Sequence, residues 1–380
     1  MRIAHVYKDF CPPVRGGIER YVADVTAATS ARGFTVEVHV AGVRRARTDQ
    51  LANGIEIHRH REFARLLSSP ITSGLALAAS QLDADVVHLH MPNPVGEIGA
   101  LLNRRAGALV ASFHAPVVRQ RLLEPAYGPV RERVLGRCRT ILVSSSQMAT
   151  ARELAGHNEA LRVLPYGVSP SLALSSEAPR AASAALRLLF VGRLVYYKGL
   201  DVLLHAVSRS ADRPVRLTIV GDGPLRTDLE NLATRLGVQD RVELTGGVDD
   251  EVLLELYRSH DVFVMPSGSR AETFGMAMCE AMAAGLPAIS TNVGTGTDWV
   301  NLDGVTGLVV PPGDPVALAG ALRTLADDAG LRARFGRAAR ERARQEFSFE
   351  RHVDGLVEVY EAVADRAVAD GTMGRDRCAR

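Results

Sequence analysis

The sequence predicts an α/β protein built from two doubly wound domains. Short apolar strands alternate with helical stretches along the 380 residues, and the alternation restarts after a Ser/Ala/Pro-rich stretch at 169–185 that reads as a linker. The strands are apolar on both sides, as in a parallel sheet covered by helices on each face. Each half also carries a glycine-rich turn near its first strand. A chain of this length exceeds the usual size of one core. Ligands of such sheets bind beyond the carboxyl ends of the strands, so a cleft between the domains is the expected site.

In the first half, strands are expected at 3–6, 35–40, 86–90, 109–113 and 140–143, with helical sequence between them, such as 19–31. The turn Val14-Arg15-Gly16-Gly17-Ile18-Glu19 stands directly before that helix, where Gly16 and Gly17 let the backbone approach a ligand and expose its N–H groups. Asp83-Ala84-Asp85 has the D-x-D form of a metal motif, but it precedes a strand instead of following one. It reads as a cap, and no metal is assigned. His114 ends the strand 109–113, where a parallel sheet presents functional groups, and His88 and His90 end the strand before it. His114 is the strongest candidate of the three. The segment 163–168 closes this half.

The second half repeats the pattern at 187–191, 216–220, 242–244, 261–265, 288–290 and 307–310. After its first strand comes Val191-Gly192-Arg193-Leu194-Val195-Tyr196-Tyr197-Lys198-Gly199, where an arginine fork and a lysine point charge can converge on a diphosphate. Lys8 and Lys198 are the only lysines in an Arg-rich chain, which singles Lys198 out. Gly221-Asp222-Gly223-Pro224 lacks the third glycine of a dinucleotide fingerprint, and a tight strand-to-helix turn explains it. The strand 261–265 leads through a Ser/Gly loop into Glu272-Thr273-Phe274-Gly275-Met276-Ala277-Met278-Cys279-Glu280, two carboxylates with seven residues between them. Helical sequence runs from about 275 to 284, stopped by Gly285 and Pro287, which puts Glu280 about two turns inside the helix. The first free amides, near Phe274, Gly275 and Met276, attract phosphate. One carboxylate before that end and one within the helix can hold hydroxyls on either side of a diphosphate. A nucleotide sugar has that layout, with its sugar on one side and its ribose on the other.

The composition, 47% hydrophobic and 23% charged with a formal net charge of +2, excludes a strongly electrostatic partner such as nucleic acid as the main theme. Cys11, Cys138, Cys279 and Cys378 are scattered without metal-ligand spacing and read as reduced thiols. The chain opens directly on a strand, and no apolar run approaches the ~20 residues of a membrane span. A cytoplasmic location is the expectation. Arg119, Arg121, Arg131, Arg133, Arg137 and Arg139 read as a solvated basic face, with peripheral contact at the inner face of a membrane as the alternative.

Together, Gly16-Gly17-Ile18-Glu19, Phe113-His114, Gly192-Arg193 through Lys198-Gly199, and Glu272 through Glu280 resemble the retaining glycosyltransferases of family 4. The run Asn301-Leu302-Asp303-Gly304-Val305-Thr306-Gly307-Leu308-Val309-Val310-Pro311-Pro312-Gly313-Asp314 extends the resemblance over nearly the whole chain. It implies a GT-B fold, two Rossmann-like domains facing an interdomain cleft, with no cofactor or metal required. The implied domains are 1–170, joined by the C-terminal helix from about 352 to 380, which bind the acceptor, and 186–351, which bind the donor. The resemblance gives Arg193 and Lys198 to the donor diphosphate, Gly16 and Gly17 to its phosphate, and Glu272 to the sugar. It gives Glu280 to the ribose, the amides of Phe274, Gly275 and Met276 to the phosphates, and His114 to the transferred sugar. A front-side reaction, with the leaving phosphate helping to deprotonate a hydroxyl acceptor, is the mechanism it implies.

The loop Thr245-Gly246-Gly247-Val248-Asp249-Asp250 would then lie near the donor base, where Asp250 or Asp249 could accept two hydrogen bonds from guanine; Asp is also a strong helix cap, and either residue could serve as one. The loop resembles that of phosphatidylinositol mannosyltransferases, so GDP-mannose is favoured narrowly over a UDP-sugar. Many relatives follow the histidine with Ser-Asp where this chain has Ala115-Pro116, which points to a different acceptor: a glycan, a lipid-linked carrier or a natural product. A nucleotide-sugar epimerase on the same fold and a non-enzymatic sugar-nucleotide sensor are the competing readings.

Overall fold

Strand order shows how each half is wound. The first half contains β1 (Arg2–Val6), α1 (Gly17–Ala31), β2 (Thr35–Val43), β3 (Arg47–Gln50), β4 (Glu56–Arg61), β5 (Ala64–Leu66), β6 (Ser69–Ile71), α2 (Ser73–Gln81) and β7 (Val86–Met91). It continues with α3 (Pro94–Leu102), β8 (Ala108–Phe113), α4 (Glu124–Leu135), β9 (Thr140–Val143), α5 (Ser146–Ala149) and β10 (Leu161–Val163). Eight of these strands form one sheet in the order β10-β9-β8-β7-β1-β2-β4-β3, parallel except for β3 against β4. The order reverses between β1 and β7. This is a computed structural model, and it describes residues 1–14, 16–43, 45–51, 53–66, 69–116, 124–172, 184–210 and 213–370.

The second half contains β11 (Leu186–Val191), α6 (Leu200–Ser208), β12 (Val215–Val220), α7 (Arg226–Arg235), β13 (Val242–Gly246), α8 (Asp250–Ser259), β14 (Val262–Met265) and α9 (Met276–Ala283). After them come β15 (Ala288–Thr291), α10 (Gly296–Val300), β16 (Gly307–Val310), α11 (Pro315–Asp327) and α12 (Ala329–Glu346). Its six strands are all parallel, in the order β13-β12-β11-β14-β15-β16. Numbered within the half, that order is third, second, first, fourth, fifth, sixth. It is the doubly wound arrangement whose ligand crevice opens where the order reverses, here between β11 and β14. Leu188, Phe190, Ile219, Val262, Val264 and Ile289 are fully buried in its core, as the apolar strands require.

The chain divides into two units, residues 1–165 with 350–380, and residues 166–349. The first therefore ends earlier than the expected 170. The ring of Tyr166 packs edge-on against Phe274 at 5.2 Å, and the Val168 amide donates to the Phe347 carbonyl at 2.9 Å, so this segment belongs with the second unit. A β-carbon on Gly167 would lie 2.4 Å from Phe349 Cα, which is why glycine stands at that approach. The last helix, α13 (Phe349–Ala369), buries Val353, Leu356, Val359, Tyr360, Val363, Ala364 and Ala367. These fall at helical three- and four-residue spacing, one apolar stripe. From it Tyr360 Oη pairs with His88 Nδ1 at 2.6 Å, and His352 pairs with the Pro165 carbonyl at 2.6 Å and with Tyr21 Oη at 3.0 Å.

Five strands were not expected, β3 to β6 and β10. The sequence Glu56-Ile57-His58-Arg59-His60-Arg61 of β4, which pairs with β2 and with the edge strand β3, has Ile57 as its one apolar residue, so it lacks the continuous apolar run of a central strand. The segment 163–168, expected to close this half, begins at the end of a short β10 and continues as irregular chain. Among the described residues, no helix is long and apolar enough to cross a membrane. Most of the expected linker, Arg119, Arg121 and Cys378 lie outside the described residues. The other arginines of the expected basic face donate within the chain. Arg131 pairs with Glu124 at 2.5 Å, Arg139 with Asp370 at 2.5 Å, and Arg133 and Arg137 reach the carbonyls of Pro129 and Asn103.

Candidate functional site

In the second unit the site is assembled by two loops that leave β11 and β14 on either side of the reversal. The β11 loop turns at Gly192 and Arg193 and closes with a short 3-10 helix at Tyr196–Lys198. It ends at Gly199, in the left-handed region at φ +65°, where a β-carbon would lie 2.0 Å from the Pro266 carbonyl oxygen of the β14 loop. Only glycine meets both demands. The Gly268 amide donates to the Tyr197 carbonyl at 2.7 Å and ties the loops together. Lys198 is thereby aimed at Glu272, and its ammonium donates to Glu272 Oε2 at 2.6 Å.

Glu272 is held from three further directions. Ser267 Oγ donates to the same carboxylate oxygen at 3.1 Å, Thr295 Oγ1 donates to its carbonyl at 2.7 Å, and its amide reaches the Ser269 carbonyl at 3.2 Å. Burial disfavours the charge on Lys198, but the Glu272 carboxylate outweighs it, and the lysine pKa stands above its ordinary value. Arg193, exposed on the turn, lies close enough for its positive charge to work against that of Lys198. Two cations thus face one carboxylate, an excess of positive charge that suits an anion. A lysine ammonium has three donors, so the bond to Glu272 leaves capacity for phosphate oxygens.

The helix after Glu272 starts later than the sequence suggests. Gly275 is its N-cap at φ +88°, and α9 runs from Met276, so Glu280 lies just over one turn inside and not two. A β-carbon on Gly275 would come within 2.9 Å of Met265 Cε. The Met276 and Ala277 amides head the helix, where an anion is favoured. The Phe274 side chain is buried among Tyr166, Trp299 and Phe347, which anchors the loop while its backbone remains at the helix start. Glu280 is buried and accepts from Tyr257 Oη of α8 at 2.8 Å.

In the expected base loop, Asp249 is the N-cap of α8, accepting from the Val252 amide at 2.9 Å. Asp250 Oδ2 accepts from Ser171 Oγ at 2.8 Å, and Val248 is half-buried beside them. Of the two aspartates, Asp249 is therefore the cap and Asp250 is not. The Gly221-Asp222-Gly223 turn serves packing. β-carbons on Gly221 and Gly223 would lie 2.1 Å from the Gly192 oxygen and 2.4 Å from the Leu194 oxygen, so glycine lets this turn support the one that carries Arg193.

In the first unit, Gly16 is the N-cap of α1 and Gly17 its first residue. A β-carbon on Gly16 would lie 2.1 Å from Glu19 Oε2, so that carboxylate already covers the helix start, and a phosphate approaching Gly16 meets its charge. His114 follows β8 and is 3% exposed. Its Nε2 pairs with His90 Nδ1 at 3.0 Å, and His90 Nε2 pairs with His5 Nδ1 at 3.0 Å, a buried relay of three imidazoles. Burial pushes His5 and His114 down to about 3, and His88 and His90 well below the usual range. These histidines are neutral hydrogen-bonding groups at physiological pH and not proton donors in charged form.

His5, His88 and His90 each place a nitrogen within 4.8 Å of the others, but His90 is spent on His5 and His114, and His88 on Tyr360 and Ser112. The Nε2 of His5 alone lacks a partner, which is too little to hold an ion. Asp85 accepts from the Arg2 amide at 2.7 Å, joining β1 to β7. Sequence reasoning missed Tyr257, Thr295 and the β1 histidine His5, which sit far along the chain from the groups they hold. Ser267 was part of the noted Ser/Gly loop.

Residues 15–172 match the profile described as Glycosyltransferase Family 4, and residues 176–342 match Glycosyl transferases group 1. The chain is 32% identical to the D-rhamnosyltransferase WbpZ of Pseudomonas aeruginosa, over 92% of each protein. It is 29% identical to the O-antigen chain mannosyltransferase C of Escherichia coli, over 95% of this chain and 98% of that one. Among solved structures, the sucrose-phosphate synthase of Thermosynechococcus elongatus superposes with a TM-score of 0.78 at 22% identity, covering 95% of this chain and 98% of that one.

Proposed function

The chain belongs to the glycosyl transferases group 1, is a glycosyltransferase of the GT-B fold, and from that premise we propose a retaining, metal-independent transfer of mannose from GDP-mannose to a hydroxyl acceptor. The observation that carries this reading is the Lys198–Glu272 pair beside the start of α9, at the reversal of a doubly wound sheet. Lys198, Arg193 and the Met276 amide bind the diphosphate, Glu272 the sugar hydroxyls and Glu280 the ribose. His114 keeps the place beside the transferred sugar that the family resemblance gives it.

As the bond from the sugar C1 to the β-phosphate oxygen breaks, negative charge grows on that oxygen, and the two cations and the helix start stabilise it. The acceptor hydroxyl adds to C1 on the same face, and its proton passes to the departing phosphate oxygen. No protein nucleophile is required. Mannose is favoured because one relative, of Escherichia coli, is named an O-antigen chain mannosyltransferase. Guanine is favoured because Asp250 retains a carboxylate able to accept from N1–H and N2–H2.

The test is incubation of the protein with GDP-mannose or UDP-glucose and a panel of hydroxyl acceptors, with nucleotide release and product anomeric configuration read by NMR. Retained α-configuration with GDP-mannose supports the proposal. Inverted product refutes retention, and faster release from the UDP-sugar refutes guanine. Sugar interconversion without an acceptor marks an epimerase, and binding without turnover marks a sensor.

A further inference from the structure

The first unit repeats one short pattern on neighbouring strands, Glu37-Val38-His39 on β2 and Glu56-Ile57-His58 on β4. The strands are parallel and paired Glu37 to Glu56 and His39 to His58. Alternate residues of a strand share a face, so the four side chains stand together as two cross-strand pairs. This face lies on the far side of β1 from β8 and takes no part in the donor or sugar contacts proposed above.

The histidine rings stack with centroids 4.5 Å apart. Their Nε2 atoms lie 3.7 Å and 3.8 Å from the same oxygen, Glu37 Oε2. Glu56 Oε2 lies 3.3 Å from His58 Nε2. The two longer separations exceed a hydrogen bond. Tetrahedral zinc with ligand bonds of 2.0–2.1 Å sets its ligand atoms about 3.4 Å apart, a few tenths of an ångström from what is found. His39 is 7% exposed, and its Nε2 has no hydrogen-bond partner although it faces this carboxylate.

The other ring nitrogens are engaged. His39 Nδ1 pairs with His60 Nε2 at 3.3 Å, and His58 Nδ1 with Thr48 Oγ1 at 3.1 Å. Holding a ring by one nitrogen while the other faces the metal is how zinc-binding histidines are oriented. We propose that Glu37, His39 and His58, whose ligand atoms already lie within 4.8 Å of one another, bind one divalent cation of the zinc class, with Glu56 turning in from Gln50 as fourth ligand, and clamp β2 to β4 next to the edge strand β3. Two carboxylates and two neutral imidazoles match a dication in charge and give the closed four-ligand set of a structural site.

The full chain, stripped of metal by chelation, is titrated with Co2+ and then Zn2+. One Co2+ per chain should give the intense visible bands of tetrahedral coordination, Zn2+ should displace it, and the thermal midpoint should rise with the logarithm of Zn2+ concentration. His58→Gln, half-exposed and so tolerant of change, should abolish the bands. It should also weaken Zn2+ binding by more than the roughly 10–100-fold of outer-shell substitutions. Glu37→Gln is the second variant if the first misfolds, and it should lose the same signals. Absence of tetrahedral Co2+ in the wild-type chain, or its survival in either folded variant, overturns the proposal.

Discussion

Lys198→Met should cost the second unit about 3 kcal/mol of stability and cost the reaction on the order of ten- to hundredfold in turnover. The side chains of Lys198 and Glu272 are only 13% and 10% exposed, and their charged atoms are 2.6 Å apart. Removing one partner of a buried pair costs about 3–5 kcal/mol, because it leaves the other charge unpaired. Ser267 still donates to Glu272 Oε2, which places the cost at the lower end. The pKa of Lys198 is raised above 10.5, so the stabilisation is fully present below that pH and is lost only as pH climbs through the raised value. Trp299 is the only tryptophan and lies in the second unit, so its fluorescence in a urea titration follows that unit. The double variant Lys198→Met/Glu272→Gln removes both charges and should recover much of the lost stability, because the two residues are coupled. It should recover no turnover, since the diphosphate contact stays absent. A wild-type urea midpoint and near-normal kcat in Lys198→Met, or turnover regained in the double variant, would refute this account of the pair.

The remaining expectations follow from single contacts. Glu97 on α3 is fully buried and pushed up to about 7, chiefly by burial. The folded state binds its proton more tightly than the unfolded chain, so stability should fall between about pH 4.5 and 7, by about 3 kcal/mol at 1.36 kcal/mol per pH unit. Glu97→Gln should flatten that part of the Tm–pH curve, and an unchanged slope would assign it to another group. Gly275→Ala should cost about 1–3 kcal/mol of stability, read as a lower urea midpoint, because φ is +88° and the added carbon meets Met265 at 2.9 Å; a midpoint equal to wild type would show that the turn can relax. Glu280→Gln can still accept from Tyr257, so the fold should hold while calorimetry with bare GDP shows on the order of tenfold weaker binding. Unchanged affinity would remove Glu280 from the ribose.

Spacing along the chain revealed what is local. The apolar runs that became β1, β7, β8, β11 and β14 were legible because central parallel strands are apolar on both faces. The Glu272 to Glu280 motif was legible because a helix start binds phosphate and its residues are consecutive. The edge strand β3 and its neighbour β4 were not, since their charged and polar residues are also what a loop contains. The Lys198–Glu272 contact joins residues 74 positions apart, and Tyr257 reaches Glu280 across 23. No periodicity encodes such pairings, which the sheet order produces by setting β11 beside β14.

Glycine motifs show why a pattern in sequence leaves the task of each glycine open. Gly16-Gly17 reads as a phosphate cradle, yet Glu19 folds over Gly16 and sets a negative charge where the phosphate would arrive. Gly221-Asp222-Gly223 has two glycines of a dinucleotide fingerprint but reads as a tight strand-to-helix turn, and a methyl group at either glycine would strike the backbone of the Gly192–Leu194 turn. The Leu194 amide donates to the Asp222 carbonyl at 2.9 Å, and the Gly192 amide to the Val220 carbonyl at 2.9 Å. The second turn therefore supports the first, by fixing the backbone from which Arg193 and Lys198 project. Gly199 and Gly275 differ, because each has positive φ and each borders a group assigned to the diphosphate. The glycine that matters to the reaction is identified by what its missing side chain would strike and by which charged residue stands next to it, and neither can be read from glycine spacing alone.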